Sequence, residues 1–275
     1  MDNAIRLAEE RDIPVLCKIW NICSGDSEDY VRFFYRENLD HITATVYTID
    51  DSPVSMLHWF DAEFVNGNER RKAKYLYAGG SLPEYRKHGY YGALIRYVCD
   101  YARENDIVLF GKPANNRLIP YYATFGFITD ACFRLVTVNA GKKTHLRFSD
   151  LSPQEYNSLR NRAFISHPHA EWDDRYVGYC IAENAFLGGK TLAVETDGDV
   201  HFLMCAPKED YLLITETDLS VPQITGLSGD LCGMFGVGSL KAYLPDHSCG
   251  EGEEIVSSVI NNGPLDNTYV NLLLI

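Results

Sequence analysis

A basic turn that contains glycine separates a predicted strand from a predicted helix in the first third of the sequence. Arg86, Lys87 and His88 precede Gly89, and apolar positions at helical spacing follow. The first backbone N–H groups of a helix have no partner within the helix and lie at the positive end of its dipole. A pyrophosphate laid across them satisfies these donors, and glycine lets the backbone approach it closely. The turn therefore predicts an anion site, although such residues also occur in turns that are purely structural.

Two further features flank this turn. Before it, a predicted strand over residues 73–80 ends in two glycines, which mark a bulge or a place where a ligand approaches the backbone. After it, residues 115–127 read Asn-Asn-Arg-Leu-Ile-Pro-Tyr-Tyr-Ala-Thr-Phe-Gly-Phe.

These segments resemble the motifs of the GNAT superfamily. Residues 86–91 are similar to its acetyl-CoA signature, Arg/Gln-x-x-Gly-x-Gly/Ala, and residues 81–85 to the Val-x-Pro-x-Tyr-like strand end before it. Residues 115–127 resemble the family's Asn-x-x-Ala-x-x-Leu-Tyr-x-x-x-Gly-Phe. The resemblance covers about residues 4–138, and the whole chain is similar to bacterial two-domain GNAT proteins related to enhanced-intracellular-survival acetyltransferases. One position departs from the signature: its second Gly/Ala is Tyr91, whose ring must point away from the phosphates.

The resemblance implies an N-acetyltransferase that transfers an acetyl group from acetyl-CoA, as co-substrate and without a metal, to a primary amine of a small molecule or peptide. Free backbone groups at the strand end would bind the pantetheine arm and polarise the thioester carbonyl, as an oxyanion site does. An asparagine would bind the pantetheine from the other side. The residues that the resemblance assigns to acetyl-CoA are Gly79, Gly80, Ser81, Arg86, Lys87, His88, Gly89, Tyr90, Tyr91 and Asn115.

A tyrosine is the candidate general acid. The leaving group of the reaction is the CoA thiolate, and a positioned tyrosine hydroxyl can protonate it. Tyr122 falls on the family's tyrosine position, and Tyr121 is the alternative if the register shifts by one residue. Core packing is the competing explanation for either side chain, because the chain contains 18 tyrosines.

The general base stays open at this point. The start of the glycine-ended strand has no acidic residue, so Asp61 and Glu63 on the preceding strand are candidates, and His58 is another. A chain of water molecules or the C-terminal carboxylate of Ile275 is equally suitable. An acceptor amine of low pKa needs no base.

The surrounding elements predict an α/β (α+β) fold with a mixed, mostly antiparallel sheet flanked by helices. Hydrophobic periodicity and turn residues divide the first half into strands and helices. The predicted strands cover residues 4–8, 42–49, 53–64, 73–80, 106–110 and 127–138, and the helices cover about 13–20, 27–38, 89–104 and 115–125.

The same order of elements recurs after a predicted linker at residues 140–143. We therefore predict two domains: an acetyl-CoA-binding GNAT domain over residues 1–140 and a degenerate GNAT-like domain over residues 141–275. The second half has no signature at the matching place and should not bind CoA. It is expected to complete the substrate pocket, to cover the core or to form a homodimer.

Composition narrows the classes of partner and compartment. The formal net charge of −13 argues against nucleic acid and favours cationic substrates. No segment is apolar enough for a membrane span, and the N-terminus lacks the pattern of a secretory signal, so a cytoplasmic protein is expected. The eight cysteines form no C-x-x-C pair, and His167-Pro168-His169 has no nearby cysteine or acidic cluster, so no metal site is predicted.

Two other functions fit the sequence. A CoA-binding sensor or scaffold without turnover agrees with the missing base and with Tyr91, but such a module has no need of a proton donor. An acyltransferase for longer acyl groups requires a deeper pocket, which a sequence does not display.

Overall fold

The fold was determined as a computed structural model, which describes residues 3–245, 254–263 and 269–270. The contacts divide the chain into two compact units. The first comprises Met1–Phe64, Arg70–Thr129 and Ser258–Pro264, and the second comprises Val65–Glu69, Asp130–Ser257 and Leu265–Ile275. The boundary predicted at residue 140 lies just after the strand over Ile128–Asn139 and stays a prediction.

The helices and strands follow the predicted order closely. In the first part of the chain they are β1 (Asn3–Leu7), α1 (Ile13–Ser24), α2 (Glu28–Asn38), β2 (Thr43–Ile49), β3 (Ser52–Asn66), β4 (Glu69–Ser81), α3 (Tyr90–Glu104), β5 (Val108–Gly111), α4 (Ile119–Ala123) and β6 (Ile128–Asn139). They continue as β7 (Phe148–Asp150), α5 (Pro153–Phe164), β8 (His169–Glu171), α6 (Asp174–Phe186), β9 (Lys190–Thr196), β10 (Asp199–Pro207), β11 (Leu212–Thr217), α7 (Val221–Phe235), β12 (Ser239–Pro245) and β13 (Glu254–Asn261).

The first unit is built on a mixed sheet with the strand order β1-β2-β3-β4-β5-β13. β4 and β5 are parallel, whereas β1 with β2, β2 with β3 and β5 with β13 are antiparallel. The second unit has the order β6-β12-β11-β10-β9-β7, with β11 and β12 parallel and its other pairs antiparallel. The predicted mixed, mostly antiparallel α/β fold is therefore confirmed.

Helix α3 covers one face of the first sheet. Its apolar face packs on the sheet through Leu94, Ile95 and Val98, which are fully buried. Their neighbours on the sheet include Leu57 of β3 and Leu109 of β5. The packing fixes the direction of α3, so that its first turn lies at the same end of the sheet as the end of β4.

Helices α1 and α2 supply aromatic side chains to a second cluster around β3. Trp20 of α1 and Phe34 of α2 have ring centroids 4.5 Å apart, and both rings lie near that of His58 on β3. Ser27 caps α2 by accepting a hydrogen bond from the backbone N–H of Tyr30.

The predicted helix over residues 115–125 is much shorter in the structure. A 3₁₀ turn over Asn116–Leu118 leads into α4, which has a proline in its first turn. Proline fits a first turn but cannot donate a hydrogen bond from its nitrogen. The helix ends before Gly126, which adopts φ +86°. Because α4 is so short, the positions of Tyr121 and Tyr122 depend on side-chain packing and not on the backbone of a long helix.

Candidate active site

The end of β4 separates from its parallel neighbour. β4 pairs with β5 from Ala73↔Val108 to Leu76↔Gly111, and β4 then continues to Ser81. Ala78 lies in this extension with φ +44°, a left-handed backbone conformation that residues other than glycine rarely adopt. The prediction of an irregular strand end is confirmed, but the left-handed residue is Ala78 and neither glycine has a positive φ.

Close packing explains the two glycines that follow. A Cβ atom on Gly79 would clash with the hydroxyl oxygen of Tyr91, which lies in the first turn of α3. A Cβ atom on Gly80 would lie 2.6 Å from the Sγ atom of Cys23 in α1. Because consecutive residues of a strand project to opposite faces, the strand end is contacted from both sides, and a Cβ atom at either position would require Tyr91 or Cys23 to move.

The turn before α3 has the geometry expected of an anion site. Lys87 has φ +65° and Gly89 has φ +83°, and Gly89 is the N-cap residue of α3. No side chain accepts a hydrogen bond at this cap, and nothing lies within 4 Å of a Cβ built on Gly89. The backbone N–H groups of the first turn, which include those of Tyr90 and Tyr91, therefore lie at an open, positive helix end.

The charged and aromatic side chains of the turn have distinct positions. The Arg86 guanidinium donates from Nε to the backbone oxygen of Ser81 at 3.2 Å and contacts Cys23 Sγ at 3.6 Å. It thus links the turn to the end of β4. The His88 ring stacks on Tyr90, with ring centroids 5.6 Å apart, and Tyr90 also stacks on Tyr47 of β2.

Tyr91 and Tyr122 form a pair of tyrosines beside Gly79. Their hydroxyl oxygens lie 3.0 Å apart, within hydrogen-bonding distance. Burial raises the pKa of Tyr122, while its hydrogen bond with Tyr91 acts in the opposite direction. Burial is also the main reason why the pKa of Tyr91 lies well above its usual value. Both hydroxyls therefore keep their protons at neutral pH, as a proton donor requires.

The other residues of the second motif take supporting positions. Tyr121 is more than a third exposed, and its ring stacks on that of Tyr91 with centroids 6.4 Å apart. Tyr122, not Tyr121, hydrogen-bonds next to β4. Asn115 accepts a hydrogen bond from the backbone N–H of Arg117 through its side-chain oxygen, and its amide nitrogen takes no part in this cap.

The structure engages the three candidate bases elsewhere. Asp61 pairs with Lys74, and Glu63 pairs with Arg70 at 2.7 Å, both on the β3–β4 hairpin and several residues before the end of β4. His58 is fully buried, and burial lowers its pKa to about 4. The fourth candidate, Ile275, lies outside the described residues.

Sequence reasoning missed two residues that touch the end of β4, Cys23 and Ser55, and one within it, Ala78. Cys23 donates a weak hydrogen bond to the backbone oxygen of Ser81 at 3.3 Å. Ser55 on β3 donates to the backbone oxygen of Gly80, and Ser81 donates to Ser55, each at 2.9 Å. No sequence signal identifies Cys23 or Ser55, because neither belongs to a motif and both reach the site through the fold. Ala78 lies one position before the glycines that attracted the prediction.

Within the described ranges, no group of three or more His, Cys, Asp or Glu side chains is arranged to hold a metal ion. Over the same part of the chain, no helix is both long and apolar enough to cross a membrane.

Residues 4–129 match the family described as acetyltransferase (GNAT) domain. This part of the chain is a GNAT acetyltransferase domain, and the resemblance inferred from the motifs is confirmed. No curated protein matches the sequence.

Solved structures share the fold over nearly the whole chain. A conserved protein of unknown function from Enterococcus faecalis V583 is 11% identical with a TM-score of 0.74, and the match covers 97% of this chain and 73% of that one. A GCN5-related N-acetyltransferase from Anabaena variabilis is 16% identical with a TM-score of 0.69, covering 94% and 72%. Eis1 from Mycobacterium abscessus is 12% identical with a TM-score of 0.65, covering 94% and 73%. At these identities the likeness establishes the fold alone.

Proposed function

We propose that the first unit transfers an acetyl group from acetyl-CoA to a primary amine. The observation that carries this proposal is the position of Tyr122 beside the separated end of β4, next to the open first turn of α3. These are the three parts that an acetyl transfer needs: a proton donor, backbone groups at the thioester and an anion site. The family match over residues 4–129 supports this assignment.

The residues of the turn and of the strand end divide the binding of acetyl-CoA between them. The backbone N–H groups that follow Gly89 bind the pyrophosphate, because they combine unsatisfied donors with the positive end of the helix dipole. The backbone of Gly79 and Gly80 binds the thioester end, and Asn115 contacts the pantetheine from the side of β5. Arg86 holds the turn against β4 through its hydrogen bond to Ser81.

The transfer itself requires one bond to form and one to break. The acceptor nitrogen attacks the thioester carbonyl carbon, the carbon–sulfur bond breaks, and Tyr122 gives its proton to the departing thiolate. Tyr91 then donates its hydrogen bond to the phenolate left on Tyr122, which explains a large, polar residue at a position where the family signature has Gly or Ala. Asp61 and Glu63 are paired with cations on the hairpin, so we propose that water removes the proton of the acceptor.

A CoA-binding module without turnover is the second candidate. One observation favours this candidate. Asp61, Glu63 and His58 each bond to another group of the protein, so none of the three is placed to take the proton of an acceptor amine. The paired hydroxyls of Tyr91 and Tyr122 favour the enzyme, because a module that only binds CoA has no use for a proton donor.

Two measurements on the wild-type chain distinguish these functions. Calorimetric titration with acetyl-CoA is expected to give a dissociation constant in the micromolar range. Release of thiol from acetyl-CoA, followed over a panel of primary amines and peptide N-termini, is expected to rise above the rate of hydrolysis for at least one acceptor class. Binding without thiol release for any amine would favour the sensor, and absence of binding would contradict both functions.

A further inference from the structure

The backbone kink at Ala78 must be held in place by its surroundings. In the left-handed region a residue with a Cβ atom is destabilised relative to the right-handed region, whereas glycine is not. Such a conformation persists only where neighbouring groups fix it. Ala78, with φ +44°, is directly followed by the two glycines of the proposed acetyl-CoA site.

His58 provides the fixing contact. Its Nδ1 atom lies 3.0 Å from the backbone oxygen of Ala78, and its Nε2 atom lies 2.9 Å from the hydroxyl of Tyr35. A carbonyl oxygen only accepts, so Nδ1 carries the hydrogen and Nε2 accepts from Tyr35. Both ring nitrogens are thus engaged, which fixes the tautomer and the orientation of the ring.

The packing around the imidazole leaves it no alternative position. His58 has no exposed surface, and its ring lies 5.6 Å from Trp20, 5.7 Å from Tyr35 and 6.1 Å from Phe34, measured between centroids. The lowered pKa of the ring, about 4, keeps it neutral at physiological pH. A neutral histidine with both nitrogens bonded and no access to solvent has no lone pair for an acceptor amine.

The contact with Ala78 determines where the next N–H points. The peptide bond is planar and trans, so its C=O and N–H point in opposite directions. Because the Ala78 oxygen accepts a hydrogen bond from the His58 ring, the N–H of Gly79 points away from that ring. Gly79 lies beyond Leu76↔Gly111, where the pairing of β4 with β5 has ended.

We infer that His58 is a positioning residue, which holds the kink at Ala78 and thereby aims the Gly79 N–H at the thioester end of acetyl-CoA. This inference rests on the proposed function for the identity of the ligand. His58 touches neither reactant, so its role is distinct from the base that the sequence suggested. The contact also explains how alanine can occupy position 78. The hydrogen bond from His58 holds the left-handed backbone conformation, which glycine would adopt without such a bond.

Suppression of one substitution by another tests the inference. His58→Leu removes both hydrogen bonds and keeps a buried apolar side chain of similar size. It is expected to weaken acetyl-CoA binding by about fivefold to tenfold, the scale of one lost hydrogen bond between neutral groups. Adding Ala78→Gly to this variant is expected to restore most of the affinity for acetyl-CoA. A glycine at position 78 adopts the left-handed conformation without the hydrogen bond from His58.

The nucleotide part of the ligand provides the control. Adenosine 3′,5′-bisphosphate carries phosphates for the turn before α3 but lacks the pantetheine arm that reaches β4, so its affinity is expected to stay unchanged in His58→Leu. All titrations are made at a temperature where melting curves show each variant folded. If His58→Leu does not fold, His58→Asn, whose amide nitrogen replaces Nδ1, and Tyr35→Phe serve in the same comparison.

Each outcome has one meaning. Loss of acetyl-CoA affinity with the nucleotide unaffected, followed by recovery in the double variant, supports the inference. Unchanged acetyl-CoA affinity in His58→Leu overturns it, and so does an equal loss of both ligands without recovery by Ala78→Gly, because that pattern reflects general damage to the core. Failure of the wild type to bind acetyl-CoA overturns the proposed function itself and is seen before any variant is made.

Discussion

The two units of the chain repeat one order of elements but differ at the helix start that follows the central strand. In the first unit, residues 82–89 connect β4 to α3, and no side chain caps the helix. In the second, only residues 218–220 connect β11 to α7, and the Gln223 side chain accepts from the backbone N–H of Ser220 at 2.9 Å. The second helix start satisfies its own donors, whereas the first leaves them for a ligand.

The strand ends differ in the same sense. In the first unit, β4 pairs with β5 only as far as Leu76 and then continues to Ser81 through Ala78, which has a left-handed backbone. In the second unit, the pairing of β11 with β12 ends at Ile214. Glu216 follows two residues later; it is fully buried and hydrogen-bonded to Arg160 and Tyr156. A closed polar network thus occupies the strand end in the second unit. The comparison teaches that the repeated fold does not by itself make a site: the proposed acetyl-CoA site depends on an uncapped helix start and an open strand end, which the second unit lacks.

The largest effect is expected from a negative charge at the open helix start. Gly89→Glu places a carboxylate where a pyrophosphate would bind, and a like charge at about 4 Å costs about 4 kcal/mol at an effective dielectric constant of 20, or roughly a 10³-fold loss of affinity. The measurement is calorimetric titration with acetyl-CoA. Gly67→Glu is the matched control, because Gly67 also has a positive φ (+59°) and open space around it, but lies at the β3–β4 turn. Equal binding by both variants would contradict the assignment of the pyrophosphate site.

The closed strand end of the second unit should matter for stability and not for the ligand. Arg160→Met leaves the buried Glu216 carboxylate without its cation, which is expected to lower the free energy of unfolding by about 3–5 kcal/mol. Thermal and denaturant unfolding measure the loss. Acetyl-CoA affinity at a temperature where the variant is folded should not change. A large loss of affinity without a loss of stability would make Glu216 part of a binding site.

The buried histidine of the first unit makes its stability depend on pH. His58 has a folded-state pKa of about 4, below the unfolded value of 6.5, so between these values the unfolded state binds more protons and stability falls as pH falls. The full loss across this window is roughly 3 kcal/mol. The difference between wild type and His58→Asn in urea unfolding from pH 7 to pH 4 isolates this loss from that of the carboxylates. Parallel curves would show that His58 does not titrate as its surroundings predict. The hydroxyl of Tyr35 is hydrogen-bonded to its ring, and burial keeps the pKa of that tyrosine far above this pH range.

Removal of the proton donor tests the chemistry at the tyrosine pair. Tyr122→Phe is expected to keep acetyl-CoA binding and to lower turnover by about 10²-fold, the usual scale for a general acid. Tyr121→Phe, in the adjacent residue of α4, is the control and should change turnover little. Tyr91→Phe should fall between them, since it removes only the hydrogen bond to Tyr122. Full turnover in Tyr122→Phe would remove it from the proposed role.

The smallest effect is expected at the capped helix of the second unit. Gln223→Ala removes the bond to the Ser220 backbone and should lower the free energy of unfolding by about 1 kcal/mol. The substitution frees a backbone N–H group at the start of α7. It does not create the open strand end or the longer connecting turn of the first unit. A second acetyl-CoA bound per chain in this variant would show that the cap alone separates the two units.

Much of this architecture could be predicted from the sequence because it depends on local patterns. Ser27 and Gly89 mark helix starts by their residue type, and the apolar spacing of α3 identifies its buried face. The place of Tyr91 against Gly79 could not be predicted, because it depends on the distance between a helix and a strand. Neither could the kink at Ala78, since alanine has no local preference for a left-handed conformation. The short α4 was missed because a proline in a first turn is compatible with helices of any length.

Amide hydrogen exchange with and without acetyl-CoA tests the central claim most directly, because it compares the two helix starts in one experiment. The account predicts slower exchange, on addition of acetyl-CoA, for the amides of Gly79, Gly80 and residues 89–92, and no change for residues 220–224 at the start of α7. Protection at α7, or none at α3 under conditions where calorimetry shows binding, would contradict it.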